Sequence, residues 1–167
     1  MDFYQYTQGW LKGELFEGTI VFISGILLVV ISLLFWKYGT TPNAQSLVIP
    51  IMVVGLLFAV GIGFMIFSNQ QRVAEFKEAY QQSSIEFVKS EKQRVEDFQV
   101  LYKYSVGFAA ISFFLTIVAF GFMENRTFQS ICIALMIIAV SLIVIDHFSK
   151  ERAATYYQHI LLELDKQ

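Results

Sequence analysis

Four long apolar stretches dominate this chain and come as two pairs: Gly18 to Trp36 with Leu47 to Phe67, and Tyr104 to Phe122 with Phe128 to Ile145. Each is about the length a helix needs to cross a bilayer core of roughly 30 Å at 1.5 Å per residue. Between their flanking polar residues, none of the four contains an Asp, Glu, Lys, Arg or His. An integral membrane protein with four spans follows. The same cleanness removes the intramembrane charges that mark pumps, proton relays and membrane enzymes.

Composition agrees, with 56% hydrophobic and 16% charged residues over 167 positions. That balance lies far from the soluble norm. The longest polar run, Asn69 to Lys103, is too short for a globular domain, since domains seldom fall below about 50 residues. The first sixteen residues hold no short apolar run with a small-residue cleavage site, so the first span is expected to be its own insertion signal. A lone cysteine, Cys132, excludes an internal disulfide and reads as a packing residue. The net charge of −2 points to neither nucleic acid nor a strongly charged surface as partner.

Lysine and arginine set the orientation. Ten of the twelve lie before the first span, between the second and third, or after the fourth. Those segments, with both termini, are expected on the cytoplasmic side of a bacterial inner membrane, and the two short loops outside. Trp10, Phe16, Trp36, Lys37 and Tyr38 read as interface anchors. Asn125-Arg126-Thr127 matches a glycosylation sequon, in a loop too tight to suit it.

The expected organisation has five parts: an interfacial amphipathic segment over 1–16, a transmembrane hairpin over 17–67, a cytoplasmic helical hairpin over 68–103, a second transmembrane hairpin over 104–148, and a cytoplasmic C-terminal helix over 149–167. Phe3, Tyr6, Trp10 and Leu11 suggest that the first part lies flat on the inner leaflet. Pro50 reads as the first turn of the second span. Ser83 with Glu86 is a capping-box pattern that turns the central segment near Gln81 to Ser84. Glu86 with Lys89, Glu91 with Arg94, and Lys92 with Glu96 are helix-compatible charge pairs that support the second arm.

Two sets of residues carry the interaction argument. Small residues form packing seams at Gly18, Gly25 and Ser32, at Gly55, Ala59 and Gly63, and at Ser105, Ser112 and Ala119. They admit a close helix from the same chain or from another copy. The seams of the two leading spans and the shared layout of the two halves hint at a parallel internal repeat. On the cytoplasmic segments Val73, Phe76, Tyr80, Phe87, Phe98, Tyr157, Ile160 and Leu164 recur at helical spacing. They form either the core of a small bundle or a docking face.

No phosphate loop, zinc spacing, nucleophile elbow or supported carboxylate pair is present, so no catalytic residue, metal or cofactor is expected. The best polar constellation is Asp146 with His147 at the inner end of the fourth span, near His159, Glu14 and Glu17. Neighbours on a helix point about 100° apart, so Asp146 and His147 do not face one site. The expected function is a non-catalytic membrane component that self-assembles as a pore or scaffold. The alternatives are an accessory subunit holding a partner through its cytoplasmic helices and, less favoured, a small-solute transporter. Membrane hairpins with helical extensions are too common for analogy to decide.

Overall fold

The computed structural model describes residues 3 to 166; the outer limits of the expected segments, Met1, Asp2 and Gln167, lie outside them. All regular structure is helical: α1 Phe3–Tyr38, α2 Pro42–Leu56, α3 Ile62–Gln82, α4 Ser84–Phe122 and α5 Arg126–Leu164. A π-helical turn, Leu57–Gly61, fuses α2 and α3 into one rod. Four helices are thus long and apolar enough to cross a membrane: α1, the α2–α3 rod, α4 and α5. Each also extends well beyond its apolar stretch.

Local chemistry sets the breaks. Thr41 starts α2, its side chain accepting the Ala44 N–H at 3.2 Å, and Pro42 fills the first helical position where a missing N–H is harmless. Pro50 therefore lies inside the helix and does not start it. Between α3 and α4, Ser83 is extended and its Oγ accepts the Glu86 N–H at 3.4 Å. Asn125 caps α5 through the Phe128 N–H at 3.1 Å, so the sequon asparagine serves as a helix start.

The helices are arranged in two pairs. Ser32 Oγ donates to the Val48 carbonyl at 2.7 Å, and Gly25 meets Gly55 and Ala59 further along. Rising numbers on one helix against falling numbers on the other make α1 antiparallel to the α2–α3 rod. A Cβ on Gly25 would stand 2.6 Å from the Ala59 nitrogen, and one on Gly55 2.8 Å from the Val29 nitrogen, so both glycines are needed for the crossing. The antiparallel α4–α5 pair is held by Gln129 to the Ala119 carbonyl near one end and Tyr157 to Glu96 near the other. Ser46 and Ser130 join the pairs at 2.7 Å. In the apolar half α4 packs on α5 alone, with no approach to α1 or α2.

The first segment departs from expectation. From Phe3 onward it is not a separate helix but the first turns of α1, which is continuous through Gly9, Gly13 and Gly18. Phe3, Trp10 and Leu11 are buried with Phe87, Val88, Val95, Ala153, Tyr156 and Ile160 in the main core. The physical reason is the spacing Phe3, Thr7, Trp10, Gly18, Val21, Gly25, which puts the segment on the same buried stripe as the span. Trp10 is consequently no interface anchor, whereas Trp36 remains 74% exposed.

Candidate functional site

The densest polar chemistry lies at the centre of that core. On α4, Glu91 falls on the same face as Phe87, Val88 and Val95, and helical spacing carries it inward to 2% exposure. A buried carboxylate is costly unless fully bonded. Arg94, one turn on, meets it as a fork, Nε to Oε1 at 2.9 Å and Nη2 to Oε2 at 2.7 Å. From α5 the Tyr156 hydroxyl donates to Oε2 at 2.8 Å. That leaves Thr7 of α1 to donate to the phenol oxygen at 2.9 Å, in preference to the Phe3 carbonyl at 3.4 Å.

Aromatic rings enclose the charges. The Arg94 guanidinium stands 5.5 Å from the Phe76 ring centre and 6.0 Å from that of Trp10. Trp10 also stacks on Tyr156 at 5.5 Å. Four helices, α1, α3, α4 and α5, thus meet around one side-chain pair. Burial pushes the Tyr156 hydroxyl well above its ordinary range, and the adjoining Glu91 charge pushes the same way, so it stays a donor. Burial disfavours the Arg94 charge, but the Glu91 fork and Glu14 more than restore it.

A second layer lies nearer the spans. Glu14 is 3.8 Å from Arg94, and burial raises its carboxyl above the usual range against the opposing pull of Arg94 and Trp10. Arg152 Nη2 stands 2.7 Å from Glu17 Oε2, close enough for an ion pair but out of line for a hydrogen bond. The guanidinium fits because position 13 is glycine: a Cβ there would lie 2.7 Å from Arg152 Nε. Glu91 accepts three hydrogen bonds, two from Arg94 and one from Tyr156, which makes this network a tie between α4 and α5.

The polar constellation around Asp146 is not assembled. His147 is exposed and 3.9 Å from Glu151, Asp146 is half-buried, His159 stacks on Tyr6 with centroids 3.6 Å apart, and Glu14 and Glu17 face the arginines. Among the described residues no three His, Cys, Asp or Glu side chains gather to hold a metal.

The small-residue seams find partners inside the chain. Gly18 faces Met65 and Ile66, Gly63 faces the Phe22 ring, and Ser112 and Ala119 are buried on α4, while Ser105 is half-buried. Of the apolar helical face, Phe87 and Ile160 are core residues, and Val73, Phe76, Tyr80, Tyr157 and Leu164 pack against them. Phe98 sits edge-on to Tyr102.

The helical pair of Glu91 with Arg94 is present, and its carboxylate is the buried hub. Lys92 and Glu96 do form an exposed pair at 3.8 Å, while no ion pair joins Glu86 and Lys89 among the described residues. Thr7, Tyr156 and Arg152 had not been singled out. The available signal was position: Glu91 and Thr7 each interrupt an otherwise apolar stripe at core spacing. No family model, curated protein or solved structure matches this chain.

Proposed function

We propose that this chain is a non-catalytic membrane scaffold: two transmembrane hairpins whose polar ends, turning at Ser83 and including both termini, form a cytoplasmic helical body that holds a partner. Continuity carries the reading. Helices α1, α4 and α5 run unbroken from apolar stretch to polar end, where the Glu91, Arg94, Tyr156 and Thr7 network ties them. A body so joined to its spans fixes an attached protein relative to the bilayer. The ten Lys and Arg residues on this side support its cytoplasmic placement.

Self-assembly is the second reading, and its support moves to a different surface. The small-residue seams are filled within the chain, but α4 leaves Val106, Phe114, Ile117 and Phe120 exposed along its apolar stretch, where it packs on α5 and not on α1 or α2. Native mass spectrometry of the nanodisc particle separates the readings. One 19.1 kDa chain with a stoichiometric co-purifying protein supports the scaffold. A discrete multiple of the chain, with nothing else bound, supports self-assembly and directs the next experiment to bilayer currents.

A further inference from the structure

A cavity of about 760 Å³ lies where α1, α3, α4 and α5 pass from polar to apolar sequence. Helices α3 and α4 meet beside their turn through Phe76, Tyr80 and Phe87, and farther on their residues face each other across this space. Its floor is Val21, Ile62 and Leu142, all within the apolar stretches. Its rim is polar.

The charges on that rim are incompletely matched. Arg72, on the α3 wall, has no carboxylate partner among the described residues, and Asp97, on the α4 wall, has no cation. Among the described residues Arg72 donates to Asn69 Oδ1 alone, at 3.4 Å, and Asp97 accepts from Gln93 alone, at 2.9 Å. Asn69 lines the cavity beside it, and among the described residues its amide N–H groups meet no acceptor, leaving them open to the cavity. A lone cation with an unspent amide donor beside it on one wall, facing a lone carboxylate on the other, suits a ligand carrying both signs.

We infer that this cavity binds one zwitterionic phospholipid with a primary ammonium headgroup, its phosphate on Arg72 and Asn69, its ammonium on Asp97, and an acyl chain along the floor. The floor argues for a lipid over a soluble zwitterion, because a headgroup alone would leave the apolar surface uncovered. The mixed rim argues against an anionic lipid, whose phosphate would lack a partner for Asp97. The site is independent of the scaffold reading.

Native mass spectrometry of the full chain, released from micelles doped with one lipid at a time, tests the assignment. Phosphatidylethanolamine is expected to give a single adduct that survives collisional activation longer than phosphatidylcholine or phosphatidylglycerol of the same chains. Arg72→Gln and Asp97→Asn are each expected to weaken that adduct about tenfold, the effect of losing one charge-assisted bond. Both residues are exposed, so the fold should tolerate either change. Equal retention of the three lipids, or wild-type retention by both variants, would overturn the site. Preference for phosphatidylglycerol would overturn the ammonium assignment, and binding of free phosphoethanolamine as tightly as the lipid would overturn the acyl one.

Discussion

The two ends of this molecule are held together by different physics. In the apolar half the contacts are small: Gly25 against Gly55 and Ala59, Ser32 on a carbonyl, Ser46 on Ser130, and a modest cluster of Val21, Val54, Phe58 and Ala134. In the polar half the core is aromatic and encloses a charged network. The difference follows from the solvent. Lipid is as apolar as leucine, so burying large side chains between helices gains little there, and close backbone approach decides the packing. Against water the same burial contributes roughly 25 cal/mol per Å², and bulky rings become the effective choice.

The largest test of that contrast is Glu91→Ala. It would strand the Arg94 guanidinium and the Tyr156 hydroxyl, and unfolding in detergent should show a loss of about 3 kcal/mol. Gly25→Val is next, expected to cost about 2 kcal/mol by forcing the crossing helices apart. Its effect should persist in a variant already lacking Glu91, because the sites lie in separate halves and add.

Glu14 gives a smaller effect with a defined sign. Its folded carboxyl titrates above the ordinary 4.5 because it is buried, so between those two values the native state binds more protons than the unfolded chain. Stability should therefore fall as pH rises through that window, and rise as pH is lowered toward 4.5. Melting temperatures across the window should slope in the wild type and flatten in Glu14→Gln. Smallest of all, His147→Ala should change stability by less than about 0.5 kcal/mol, since the ring is exposed and only 3.9 Å from an equally exposed Glu151. A large effect there would revive the Asp146 and His147 constellation.

The spans were legible because a bilayer dictates length and hydropathy to every segment that crosses it. The glycine and serine seams were legible as spacing, but the helix filling each seam was not, since any close backbone satisfies a small-residue stripe. The start of α2 was misplaced by reading Pro50 alone, when Thr41 followed by Pro42 is the stronger signal. The polar half was harder. Glu91 and Arg94 at a three-residue interval fit a surface pair equally well, and the side of the helix on which they fall is fixed by Phe87, Val88 and Val95. Trp10 suits a membrane interface by type, and only the register of α1 against Tyr156 puts it in the core.

The central claim is that the first turns of α1 belong to the same folded body as α4 and α5. Hydrogen exchange on the chain in nanodiscs tests it most directly. Amides over Thr7 to Leu11 should be protected to the same degree as those over Val88 to Val95, and both should lose protection together in Glu91→Ala. Rapid exchange of Thr7 to Leu11 beside a fully protected Val88 to Val95 would contradict the account and return the N-terminal segment to the membrane surface.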